Sequence, residues 1–242
     1  MTRRCLISGL ALHGTLFLGR GSAAPAKHSA ASPAAGAVLQ ELKQGNLRFA
    51  TDHPRHPHGK SDWVRKTSRE GQHPTAAVLC CSDSRVPPEI LFDQGIGDLF
   101  TIRVAGNAGN EDEIASIEYA VEHLHVPVCV VLGHTSCGAV TAVVKREKLP
   151  IEIQHLVAHI SEAFEGVKTR QPGLDEKGLV EATVEANVFQ AMHDLVSHGP
   201  IIREHMHAGQ LKLVGAIYHI DTGRVSWLGP HPQERQLVSQ AG

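Results

Sequence analysis

Val126-Pro127-Val128-Cys129-Val130-Val131-Leu132-Gly133-His134-Thr135-Ser136-Cys137-Gly138 is the stretch that decides how this chain is built. Its first half is a near-continuous apolar and β-branched run, which predicts a strand over 126–132 buried on both faces. An imidazole and a thiol three residues apart follow at once, framed by Gly133 and Gly138, so the strand runs straight into metal-ligand chemistry. Upstream, Ala76-Ala77-Val78-Leu79-Cys80 reads as another buried strand and leads directly into Cys81-Ser82-Asp83-Ser84-Arg85. A strand over 99–104 lies between them. After it, Asn110 with Glu113 predicts a capping box that opens a helix whose buried stripe is Ile114, Ile117, Val121 and Leu124. Strand, helix and strand in that order make a βαβ unit.

Working outward, Val38, Leu39, Leu42, Leu47 and Phe49 predict an amphipathic helix that ends before His53-Pro54. His53, His56 and His58 alternate with prolines, which prevents a compact metal site and predicts a solvated loop. Helical periodicity covers 151–168 and 179–198, and 211–220, Asp221-Thr222-Gly223 and 225–228 read as a strand and hairpin. The fold class is therefore α/β: a mainly parallel β-sheet covered by helices, with an N-terminal helical arm and a C-terminal strand/hairpin.

The chain has 242 residues, and its 23 Lys and Arg are interspersed with 25 acidic residues for a net charge of -2. No basic stripe draws it to nucleic acid or to an anionic membrane, so a small diffusible substrate fits better. Residues 1–26 are expected to be a signal peptide. Arg3-Arg4 precede an apolar run to Gly19, and Ala24-Pro25-Ala26 suits cleavage. That run is roughly 15 residues, short of the ~20 a spanning helix needs, so no stable membrane anchor is expected. The paired arginines suit the twin-arginine route as well as a general secretory signal. Residues 27–37, rich in Ala, Ser and Pro, are expected to be a flexible linker, leaving 38–242 as one domain in an exported protein, periplasmic or secreted.

Cys81, His134 and Cys137 offer two thiolates and one imidazole, and ligands in an open parallel sheet gather beyond the carboxyl ends of strands. Three protein ligands leave zinc a position for chemistry, whereas structural zinc sites pair their ligands in two close knuckles. Asp83 can either reach the metal as a conditional fourth ligand or pair with Arg85. In extended chain the side chains of Cys81, Asp83 and Arg85 would share one side. Cys80 and Cys129 are read as small buried apolar residues. Gln94 could contact substrate, although a loop glutamine is more often solvated.

Cys81-Ser82-Asp83-Ser84-Arg85 and His134-Thr135-Ser136-Cys137, with Arg103-Val104-Ala105-Gly106-Asn107 between them, resemble the marks of the β-class carbonic anhydrases. The resemblance runs from about Leu39 to Leu228. It implies one Zn2+ per subunit held by Cys81, His134 and Cys137, and Asp83 and Arg85 as a catalytic dyad. It further implies reversible hydration of carbon dioxide to bicarbonate by a homodimer or homotetramer whose partner subunit helps wall the pocket. A hydrolase of carbonyl sulfide or carbon disulfide on the same scaffold, and a non-catalytic zinc-stabilised protein, are the alternatives. A thiol redox protein is disfavoured, because adjacent cysteines bond only through strained geometry.

Overall fold

The computed structural model describes residues 34–239. The expected signal peptide and residues 27–33 of the expected linker lie outside them. In chain order the first elements are α1 (Ala35–Ala50), α2 (Ser61–Glu70), β1 (Ala76–Cys80), α3 (Pro88–Leu91), β2 (Leu99–Arg103), α4 (Glu111–Glu122) and β3 (Val128–His134). There follow α5 (Gly138–Val144), α6 (Ile151–Leu156), α7 (Ala158–Arg170), α8 (Glu176–His198), α9 (Pro200–His207), β4 (Lys212–Tyr218), β5 (Val225–Gly229) and α10 (Glu234–Ser239).

The five strands form one sheet in the order β2-β1-β3-β4-β5, parallel throughout except for β5, which returns antiparallel beside β4. The expected α/β architecture is what the chain adopts. All residues of β1 and β3 are buried, as central parallel strands require. Alternation along β1 sends Ala77 and Leu79 into one apolar layer, with Ile117, Val131, Val188, Leu195 and Ile202. Ala76, Val78 and Cys80 go to the opposite layer, with Val38, Leu42, Phe92, Val130 and Leu132.

The side on which successive strands are added reverses between β1 and β3. From β1 the chain steps outward to β2, then returns across to β3, so the crevice between the carboxyl ends of β1 and β3 is the topological switch point where open α/β sheets bind ligands. The helix α8 lies over this region and buries Thr183, Val184, Asn187, Val188, Ala191 and Met192. It begins at Asp175, whose Oδ1 accepts the Gly178 N–H at 2.8 Å, and stops at Gly199-Pro200 because proline opens α9.

Several expectations need correction. The first helix starts at Ala35, so residues 35–37 of the expected linker are helical, and Leu47 is 45% exposed rather than packed. The strand expected at 126–132 runs 128–134, which makes His134 its last residue. Asn110 does cap α4 by position, but its side chain makes no capping bond. The helix expected over 151–168 is broken at Val157 into α6 and α7. The short helices α2, α3, α9 and α10 were not anticipated; α2 buries no residue, so it has no apolar stripe to read. The histidine-proline loop is anchored rather than merely solvated: Asp93 accepts the backbone N–H groups of Arg55 and His56, and His58 pairs with Asp98 and stacks on Trp63.

Candidate metal centre

Cys81 lies one residue beyond β1, His134 ends β3 and Cys137 is the residue before α5, so the expected donors come from neighbouring strand ends. Their ligand atoms, two Sγ and one ring nitrogen, all lie within 4.8 Å of one another, and all three residues are buried. Ser136 makes the reversal that turns Cys137 back toward His134, with φ +56°. Thr135 fixes that turn to the end of β4: its N–H donates to the Tyr218 carbonyl at 2.9 Å, and its Oγ1 accepts from the Ile220 N–H at 3.1 Å.

The Nδ1–H of His134 donates to the Thr135 carbonyl at 2.9 Å, which leaves Nε2 as the nitrogen with a free lone pair. Nε2 is buried without a hydrogen-bond partner. An unsatisfied buried polar atom costs about 1–3 kcal/mol. Two sulfurs beside this lone pair form a soft N/S donor set of the kind zinc takes, so the residues fit that ion.

The Cys81 sulfur accepts the backbone N–H groups of Gly106 at 3.3 Å and Asp83 at 3.4 Å. Its pKa is drawn down, first by the Cys137 thiol that donates to it; burial opposes this, and His134 and the two N–H groups reinforce it. Cys137 is pushed up, first by giving its proton to Cys81 and then by burial, while the N–H groups of Val140 and Ala139 act the other way. The other two described cysteines behave as expected of core residues, with burial raising both Cys80 and Cys129 to about 12.

Asp83 does not join the three-donor cluster; Arg85 holds it. Asp83 Oδ1 accepts the Arg85 backbone N–H at 2.9 Å and Nε–H at 3.0 Å, and Oδ2 accepts Nη2–H at 2.7 Å. The pairing keeps the Asp83 carboxyl well below the usual carboxylate range. The expected juxtaposition of Cys81, Asp83 and Arg85 is thus present, but a turn closed by Val86 N–H on the Asp83 carbonyl creates it, not strand alternation. Arg85 Nη2 also reaches the Ser136 carbonyl at 3.4 Å, across to the loop that follows β3.

Gly133 plays a part that needs no ion to explain it, and packing assigns none to Gly138. A Cβ on Gly133 would lie 2.6 Å from Val188 Cγ2, so its smallness admits α8, and Gly138 has open space around its Cα. Gln94 donates to the carbonyls of Phe92 and Asp93 within its own loop. Sequence reasoning missed Arg103, whose guanidinium donates to the carbonyls of Cys81 at 3.3 Å and Asp83 at 2.7 Å and so shapes the turn from β2. Its place in Arg103-Val104-Ala105-Gly106-Asn107 was the available signal.

Comparison with known proteins agrees with this geometry. A family model described as "Carbonic anhydrase" matches residues 76–225, more than half of the chain. Carbonic anhydrase 2 of Mycobacterium tuberculosis is 38% identical over 192 residues, covering 78% of this chain and 90% of that protein. Among solved structures, the β-carbonic anhydrase CafA of Aspergillus fumigatus superposes with a TM-score of 0.67 at 26% identity, covering 84% of this chain and 96% of that one. A structure described as one of two tetrameric β-carbonic anhydrases from Sordaria macrospora has a TM-score of 0.64 at 25% identity, covering 80% and 98%.

Proposed function

We infer the roles of individual residues from one premise: the chain belongs to the β-class carbonic anhydrase family. It is a zinc lyase that interconverts carbon dioxide and water with bicarbonate and a proton. The observation that carries the assignment of residues is the unpartnered Nε2 of His134 facing two thiols, with an ionised, clasped carboxylate two residues beyond the first of them.

In this reading Cys81, His134 and Cys137 hold one Zn2+. When bound, zinc lowers the pKa of a water from about 16 to about 7, a value known for anhydrases with three-histidine sites, and so supplies the nucleophile at neutral pH. His134 presents Nε2 because Thr135 fixes its tautomer. Asp83, kept ionised by Arg85, accepts a hydrogen bond from the nucleophile and orients it toward the carbon of the substrate; a carboxylate has lone pairs beyond those Arg85 uses. Arg85 also keeps Asp83 off the metal, so Asp83 as fourth ligand is a second state reached only by opening that clasp. Stopped-flow carbon dioxide hydration by the zinc-loaded chain, run beside a carbonyl sulfide assay, tests the reading. Failure to hydrate carbon dioxide would refute it.

Export and assembly belong to the same reading. Arg3-Arg4, the apolar run and Ala24-Pro25-Ala26 support export to the periplasm or medium after removal of residues 1–26, and zinc would shield two thiols there. Among the described residues no helix is long and apolar enough to cross a membrane. The description of the similar Sordaria macrospora structure as tetrameric supports a homodimer or homotetramer. Intact mass of the exported chain and light scattering of the purified one test these two points.

A further inference from the structure

The two N–H groups on the Cys81 sulfur have different origins. That of Asp83 belongs to the same turn, whereas that of Gly106 comes from the loop after β2. Gly106 has φ +77°, a conformation that L side chains rarely adopt, and a Cβ there would lie 2.6 Å from Ile160 Cδ1. Glycine reaches this geometry at little cost and keeps it only if something anchors it. The anchor is on α8: the Nδ2–H of Asn187 donates to the Gly106 carbonyl at 2.8 Å. The N–H and carbonyl of Gly106 lie on the two peptide planes that flank its Cα. Holding the second plane therefore fixes the angle from which the first meets the sulfur.

Packing alone does not account for Asn187. It is 0% exposed, and its Oδ1 has no partner. A buried amide left partly unsatisfied is destabilising by about 1–3 kcal/mol, and an apolar residue of the same shape avoids that cost. The side chain does one specific thing, which is to hold Gly106.

We propose that Asn187 is a positioning residue for the metal thiolate: through Gly106 it aims an N–H at Cys81 Sγ and so sets how much charge Cys81 gives to the metal it holds. The inference rests on Cys81 being a zinc ligand. A hydrogen bond to a thiolate stabilises charge on sulfur and reduces its donation, which makes the metal a stronger Lewis acid; partners of this kind tune a site they never touch.

The test uses the full chain loaded with Co2+, whose thiolate-to-cobalt absorption reports the sulfur directly. Asn187→Leu and Asn187→Ala, neither of which can donate to the Gly106 carbonyl, are expected to move that band to longer wavelength and to weaken cobalt binding by about 10- to 100-fold. Thr183→Val, which removes another unpartnered buried group one turn earlier on α8, is expected to leave the band in place. A band unmoved in either Asn187 variant overturns the proposal. A wild-type chain that binds cobalt with no thiolate band overturns instead the assignment of Cys81 as ligand. If neither Asn187 variant takes up metal, the wild-type chain loaded with an NMR-active cadmium isotope decides: scalar coupling between the Gly106 amide proton and cadmium is expected, and its absence overturns the proposal.

Discussion

Arg85 grips Asp83 three times, once through its own backbone N–H and twice through its guanidinium, with the shortest bond at 2.7 Å. The carboxylate stands beside the three-donor cluster without belonging to it. Asp83→Asn keeps the size and removes the charge. It is expected to retain zinc at one ion per chain and to lose at least about 100-fold in kcat/KM, the lower range for general acid–base assistance. Metal analysis and stopped-flow hydration on the same sample check this; a variant as fast as the parent rules out the role of Asp83.

Removing a donor has the opposite signature. Cys81→Ser, His134→Ala and Cys137→Ser are each expected to lose zinc and activity together, because each breaks a set of three and leaves buried thiols or a bare cavity behind. A chelator strong enough to strip the parent should lower its melting temperature and leave that of Cys137→Ser nearly unchanged. Calorimetry with and without chelator measures both.

Gly133 and Val188 provide a packing test. Gly133→Ala places a Cβ 2.6 Å from Val188 Cγ2 in a fully buried strand, and overpacking of that kind costs about 1–3 kcal/mol. Adding Val188→Ala should recover most of the loss. Urea denaturation of the parent, the single variants and the double variant gives the coupling; additive effects would show that the two positions do not meet.

His159 sets a pH dependence of stability. Burial lowers its pKa below 6.5, against the pull of Asp194 on α8, the Gly106 backbone and Glu162 on α7; Glu111, Glu118 and His198 line the same hollow. The unfolded chain therefore takes up the proton first, so this contribution is present above about pH 6.5 and is lost as pH falls below it. His159→Gln is expected to flatten the decline in melting temperature between pH 7 and pH 5. An unchanged slope would show that this ring does not titrate on unfolding.

The sheet was legible because its central strands are buried on both faces and read as unbroken apolar runs; β1 was placed at Ala76–Cys80 residue for residue. The three proposed metal donors were legible because cysteine and histidine at strand ends have few other uses. Long-range supports were not. Nothing local in Asn187 tells that it faces Gly106, since that bond joins residues 81 positions apart, and nothing in Gly133 distinguishes room for an ion from room for a helix. The stripe-free helix α2 and the break at Val157 escaped because periodicity reports only a face that is buried.

The reliance of both glycines on α8 orders events during synthesis. Every proposed donor has left the ribosome once residue 137 emerges, yet the helix that seats Gly133 and steers Gly106 is not complete until residue 198. The three proposed donors thus emerge well before the helix that shapes their surroundings and before the strand to which Thr135 ties their turn, so maturation of the catalyst waits on the last third of the polypeptide.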